Sequence, residues 1–253
     1  MKLSVSLLHT YSICPRLYKF RYVDKIAGKN LEAIVGEVTH ELLAWIQKEK
    51  ITSWEEIQWR LSQVVTVLDI PPEEKTEISA RVLSLLKVFY ENQSQYLVGA
   101  EVEKGFLLPY KNDFLIGRFD RVESTSSSRV VVIDFKTGHF VGMSYRQLAE
   151  SFQVVVYSWA AKNIFGVTDV VVRYWWLVYN KVLEFRVSPE VEKKVFKKID
   201  RIVRRIKRGE FNPRPSGLCC RCVALSKCLK GQKYIVDNTE WLYIADPKQL
   251  TFV

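Results

Sequence analysis

The sequence predicts a mixed α/β fold: a helical opening, a small sheet with a crossover helix, and a cysteine-rich module near the end. Three observations point there. Apolar residues recur at helical spacing through residues 31–49 and 72–98. Segments rich in Val, Ile and Phe then follow one another from 100 to 136, as strands do. Four of the five cysteines crowd between positions 219 and 228. The 253 residues, 48% hydrophobic and 26% charged, suffice for a substantial core. They divide into a helical region over 1–98, a core sheet with its crossover helix over 99–187, and a basic helix, cysteine module and tail over 188–253.

Residues 6–22 read as a first helix bearing Cys14. In the second, 31–49, Ile34, Val35, Val38, Leu42, Trp45 and Ile46 recur at helical spacing. Ser53 and Glu56 form a capping box that opens a third helix, to about Leu68. Pro71-Pro72 breaks the chain; Ile78, Val82, Leu85, Leu86 and Phe89 then mark a long fourth helix to about Val98. Strands are expected at 100–109, 113–122 and 129–136, the last two joined through Ser-Thr-Ser-Ser-Ser at 124–128. A helix at 144–164 comes next, then strands at 169–179 and 182–187 meeting near Asn180-Lys181. Trp175, Trp176 and Tyr179 on the first of these read as packing residues, with base stacking as the alternative. Ser188-Pro189 opens a helix to about Arg208, with Val195, Ile199, Ile202 and Ile206 toward a core. Lys193, Lys194, Lys197, Lys198, Arg201, Arg204, Arg205, Lys207 and Arg208 fill its other sides, either as a solvated surface or as a grip on a DNA backbone. An aromatic segment around Trp241 to Tyr243 ends the tail.

Lys and Arg outnumber Asp and Glu by 38 to 28, a net charge of +10. A cationic surface draws polyanions through counterion release, so nucleic acid is the first partner expected and an acidic membrane surface its rival. No stretch approaches the ~20 apolar residues of a bilayer span. The opening Met-Lys-Leu-Ser-Val-Ser-Leu-Leu-His-Thr lacks the apolar run and cleavage site of a signal peptide. A cytoplasmic protein is expected.

The stretch Val-Val-Val-Ile-Asp-Phe-Lys-Thr-Gly (130–138) is a buried strand that delivers Asp134 and Lys136 to one side at its tip. Fourteen residues earlier stands Asp120. If 113–122 and 129–136 pair as a hairpin, both carboxylates converge. Two carboxylates make a hard oxygen site suited to Mg²⁺ or Mn²⁺, with room left for water and a substrate phosphate. Such an ion lowers the pKa of bound water and neutralises charge on a phosphorane-like transition state, and Lys136 would orient the attacking hydroxide. The plain alternative is an ion pair at a strand end. His40, a turn after Gly36 on the second helix, is either a further ligand or a structural histidine. Gln153 and Tyr157, four apart, share a face of the crossover helix.

Taken in order, Cys-Pro-Arg-Leu-Tyr-Lys-Phe-Arg-Tyr-Val (14–23), Gly-Glu-Val-Thr-His (36–40), Gly-Arg-Phe-Asp-Arg-Val-Glu (117–123), Ile-Asp-Phe-Lys-Thr-Gly (133–138), Gln-Val-Val-Val-Tyr (153–157) and the C-terminal cysteines resemble the RecB-like nucleases of the PD-(D/E)XK superfamily. The resemblance spans about residue 10 to residue 228. It is nearest to the iron–sulfur branch, which includes CRISPR-associated exonucleases and AddB-type nuclease domains. It implies a restriction-endonuclease-like core, with His40, Asp120 and Asp134 as metal ligands and the Phe135 carbonyl completing the site. It implies Lys136 as the catalytic lysine, with Gln153 and Tyr157 as the helix motif near DNA. It further implies an exonuclease acting on single-stranded ends, in CRISPR spacer acquisition or in repair. Partner proteins of CRISPR adaptation and a homo-oligomer belong to the same expectation. A DNA-binding assembly subunit with an idle metal site is the rival. Two helices inserted between His40 and Asp120 are expected as a lid, a DNA guide or an oligomer contact.

Cys219, Cys222 and Cys228, joined by Cys14, supply the four thiolates that a [4Fe–4S] cluster needs and that tetrahedral Zn²⁺ needs equally. The resemblance implies the iron–sulfur cluster. Cys220 is a spare, or a competitor of Cys219. Joining Cys14 to the tail closes a long loop, which implies a structural role for the bound group.

Overall fold

A computed structural model of the chain describes residues 1–26, 28, 30–92, 99–139 and 142–238. It opens on a short strand that the sequence pattern does not signal, β1 (Lys2–Ser4), and runs into α1 (Val5–Ile13), capped by the Ser4 side chain. The single helix expected over 6–22 is broken at Cys14. That residue is extended, with φ −150°, because the ring of Pro15 crowds a helical conformation in the residue before it. Pro15 then starts α2 (Pro15–Tyr18), which ends in one π-type turn, Lys19–Val23.

Helices α3 (Leu31–Glu49), α4 (Trp54–Thr66) and α5 (Pro72–Asn92) follow. Asn30 and Ser53 cap the first two through their side chains. Ser53 accepts the Glu56 N–H and its hydroxyl donates to Glu55, so the expected cap forms without the reciprocal bond from Glu56 that would complete a box. Residues 93–98, which the sequence pattern assigns to the end of α5, lie outside the described residues. These helices cover one face of the sheet. Leu42, Ile46, Val82 and Phe89 form a single apolar cluster with Val131, Ile133, Phe135 and Trp175 from the strands. The inserted helices are therefore a packed layer of the core.

The sheet holds β2 (Ala100–Tyr110), β3 (Asp113–Ser126), β4 (Arg129–Lys136), β5 (Asp169–Trp176) and β6 (Lys181–Phe185) beside β1. β2 pairs antiparallel with β3 along its length. The other edge of β3 is shared: β1 lies parallel to Phe114–Ile116, and β4 lies antiparallel from Arg121 onward. β4 and β5 are parallel, which requires a crossover. The helix expected over 144–164 is divided into α6 (Tyr145–Ala149) and α7 (Phe152–Phe165), because Ser151 leaves the helical path to cap α7. Alternate residues of β4 serve opposite cores: Val130 and Val132 meet α7, while Val131, Ile133 and Phe135 meet α3 and α5. A strand buried on both faces is thus uniformly apolar until Asp134.

Helix α8 (Pro189–Lys207), capped by Ser188, lies against α7 and α1 through Val195, Ile199 and Ile202. Trp175 and Trp176 are buried in opposite cores, so packing is their role; Tyr179 is exposed on a short 3-10 turn after β5. Beyond a 3-10 turn at Gly217–Arg221, α9 (Leu229–Asp237) ends the described chain, and Trp241–Tyr243 lie outside it. No helix among the described residues is long and apolar enough to cross a membrane.

Candidate active site and metal centre

Strand register assembles the acidic residues. Val102 faces Arg121 and Lys104 faces Phe119, so Glu103 stands opposite Asp120. Arg121 faces Ile133 on the next strand, and one step further along sets Asp120 against Asp134. Three carboxylates thereby occupy one row across β2, β3 and β4. At Asp120 the side-chain alternation of β3 breaks, since Phe119 and Val122 both enter the core beneath α7. Asp120 Oδ2 accepts the Phe135 N–H at 2.8 Å and lies 3.3 Å from His40 Nδ1 on α3. Gly36 brings α3 that close: a Cβ there would sit 3.3 Å from Thr137 Oγ1, just beyond β4. Glu103 adopts a left-handed φ of +57° and pairs with Arg118. His40, Glu103 and Asp120 each offer a ligand atom, all within 4.8 Å of one another.

Asp134 and Lys136 are buried beside this group and share Gln153 of α7. Gln153 donates to Asp134 Oδ1 at 2.6 Å and accepts from Lys136 Nζ at 2.6 Å. The Tyr174 hydroxyl also donates to Gln153 Oε1, at 3.1 Å, and the Lys136 ammonium stands 4.4 Å from the Tyr174 ring centre. Asp134 Oδ2 lies 2.8 Å from Lys136 Nζ yet receives no directed hydrogen bond. A buried carboxylate oxygen left that way is open to a further cationic partner.

The electrostatics agree. Burial pushes the Asp134 carboxyl up; Lys136 opposes this and Asp120 adds to it. Burial also raises Glu103, against Arg118 and with Asp120. For His40, burial favours the neutral ring, but the charge and hydrogen bond of Asp120, with the charge of Asp134, carry its pKa above the ordinary value. Two acids that burial raises, next to an imidazole that a neighbouring carboxylate raises, mark a site short of positive charge. Oxygen and imidazole donors in that number fit a hard divalent cation.

The "PD-(D/E)XK nuclease superfamily" profile matches residues 2–228. The chain belongs to the PD-(D/E)XK nuclease superfamily. Its fold, a central mixed sheet flanked by helices, is consistent with the PD-(D/E)XK core. Among solved structures, a candidate exonuclease from Eubacterium rectale shares 13% identity and a TM-score of 0.52, with 87% of each chain covered, a likeness of fold. The structure of SSO0001 shares 17% identity at a TM-score of 0.43, covering 90% of this chain and 85% of that one. A comparison with curated protein sequences gives no match.

Motifs in the sequence of this PD-(D/E)XK chain do not single out Glu103. Its signal lies in the β2–β3 hairpin: counting back across the turn at Lys111 puts position 103 opposite Asp120, but only once the register is known. Tyr157, buried on α7, donates to the Arg118 carbonyl at 2.8 Å and so props β3 two residues before Asp120. The Phe135 ring packs between Phe89 and Trp175, while its N–H holds Asp120.

A cleft of about 1890 Å³ runs over these residues and on to the cysteines, lined by His9, His40, Asp134, Arg118, Arg214 and Cys222 among others. Burial and the nearby Cys219, Cys14 and Cys228 sulfurs raise the Cys222 thiol, against a hydrogen bond from the Ala224 backbone. Cys219 and Cys228 also flank Gly231, their sulfurs within 3.6 Å of where its Cβ would be. The break at Cys14 sets its sulfur to accept the Arg214 N–H at 3.4 Å. Cys220 is exposed and donates to the Gly217 carbonyl at 2.9 Å.

Proposed function

We propose that this chain is a metal-dependent deoxyribonuclease of the RecB-like, iron–sulfur branch, hydrolysing phosphodiester bonds at single-stranded DNA ends. The observation that carries the reading is the row of Glu103, Asp120 and Asp134 with His40 on one side and Lys136 on the other. His40, Asp120 and Asp134, with the Phe135 carbonyl, would hold Mg²⁺ or Mn²⁺, and Glu103, whose ligand atom lies with those of His40 and Asp120, would join them. Such an ion would supply charge neutralisation and a water of lowered pKa.

The chain's own groups do the rest. Gln153 fixes Asp134 and Lys136 together by bonding both, so the carboxylate and the ammonium present a constant geometry to an incoming phosphate. Lys136 keeps a proton-bearing nitrogen beside Asp134, where it orients the attacking water and balances charge on the phosphoryl oxygens. Tyr157 holds β3 at the height that keeps Asp120 in the row. The products are a 5′-phosphate and a 3′-hydroxyl.

Cys14, Cys219, Cys222 and Cys228 would hold a [4Fe–4S] cluster with a structural role. Four thiolates serve a [4Fe–4S] cluster and tetrahedral zinc equally, and the family resemblance favours iron–sulfur. A visible absorption band bleached by dithionite supports iron; a colourless, zinc-rich protein rejects it. On the family resemblance, the biological setting is end trimming in CRISPR spacer acquisition alongside adaptation proteins, with DNA repair as the second setting.

The test uses end-labelled single-stranded DNA with Mn²⁺ or Mg²⁺, comparing the wild type with Asp134→Ala. Degradation by the wild type alone is expected. If neither cuts and both bind DNA, the chain is an assembly subunit with an idle site.

A further inference from the structure

Helix α8 buries its apolar side and leaves Lys193, Lys197, Lys198 and Arg201 exposed. Their neighbours Lys194, Arg205 and Lys207 pair with Glu150, Glu210 and Asp113. These four have no carboxylate partner among the described residues. Lys193 and Lys197, then Lys197 and Arg201, are spaced i,i+4, where like charges destabilise a helix. With Glu190 and Lys194 they line a shallow groove of about 540 Å³.

The stripe also meets the site. Lys198 Nζ stands 4.8 Å from the ring centre of Phe152, the residue before Gln153. His9 lines the same cleft as Asp134 and Lys136. Burial first, then the charges of Lys136 and Lys198, hold its imidazole below the ordinary histidine value, so one side chain feels both cations. Positive charge thus extends from Lys136 past His9 onto α8. A helix that binds a membrane surface inserts an apolar face beside its cations. The apolar side of α8 is buried in the protein core, which leaves a polyanion strand as the fitting partner.

We propose that Lys193, Lys197, Lys198 and Arg201 form a track that holds the phosphates of a DNA strand beyond the cleft, independent of base sequence. This rests on the DNA-nuclease reading above. The experiment measures binding of fluorescent single-stranded DNA in EDTA, where cutting plays no part. Two variants of equal charge change are compared with the wild type: K193Q/K197Q/R201Q, and K87Q/K181Q/K230Q at exposed sites elsewhere.

The α8 variant is expected to bind a long strand about tenfold more weakly, with the salt slope reduced by about 2, roughly 0.7 for each phosphate no longer neutralised. The control variant should bind as the wild type does. A short oligonucleotide held by the cleft alone should bind all three proteins equally and, with Mn²⁺ restored, be cut equally. Equal losses in both variants would reduce the effect to net charge and overturn the track. So would unchanged binding in the α8 variant, or displacement of long DNA by phosphatidylserine vesicles from wild type but not from that variant. A wild type that binds no DNA overturns the track and the nuclease reading together; one that binds without cutting leaves the track standing alone.

Discussion

Gln153 is the residue on which the charged pair turns. It satisfies Asp134 and Lys136 with one amide, and both are buried. Gln153→Ala is expected to cost about 1–3 kcal/mol, the penalty for stranded buried polar groups, and to lower kcat far more than it raises KM for DNA; urea unfolding and steady-state kinetics check the two halves. His40 sets a pH dependence. Its folded pKa lies above 6.5, so its pairing with Asp120 stabilises fully below the unfolded value and fades as pH rises through the folded one. Asp134, held up by burial, acts in the same sense, since ionising it costs stability. The metal-free protein should therefore lose stability with rising pH across that window, while Mn²⁺, which needs neutral imidazole, binds more tightly. Calorimetric titration between about pH 6 and pH 8 should show rising affinity with proton release, and His40→Ala should flatten both trends. Asp120, Asp134, Lys136 and His40 are legible in the sequence because each sits in a short motif. Glu103 is not, because its meaning comes from the strand opposite.

At the scale of elements, strands betray themselves where both faces are buried, as the valines of β4 do, and helices where one stripe is apolar, as in α8. What stays hidden is local. The break at Cys14 follows from a single proline, the division of α6 from α7 from a single serine cap, and β1 is three residues long. The function of the inserted helices is also hidden, because an apolar stripe does not say which surface it covers. Phe89 answers for α5: its ring lies 5.6 Å from Phe135 and 5.7 Å from Trp175, directly behind the strand that bears Asp134. Phe89→Ala should cost about 3–5 kcal/mol and loosen the site from behind. Gly117 makes a sharper case, since a Cβ there would run into the Phe106 ring. Gly117→Ala should cost about 1–3 kcal/mol by overpacking, read as a lower Tm, and F106L should restore part of it.

Across the whole molecule, the first helices pack against the segment that follows α8 and leads to the cysteines. Tyr11 donates to the Glu210 carbonyl at 2.6 Å, and Tyr18 stacks on Phe211 at 5.8 Å. Cys222→Ser is therefore expected to lower Tm and soluble yield while leaving the metal-ion requirement of cleavage as it was, which thermal melts and a metal titration of the purified variant would show. The row of acids on β2, β3 and β4 carries a last implication. Strand register sets side-chain direction, and a slip of one position in either hairpin turns one of these carboxylates to the wrong side. A fragment that lacks any one of the three strands therefore cannot complete the row. The juxtaposition of these acids is accordingly a direct gauge of native pairing.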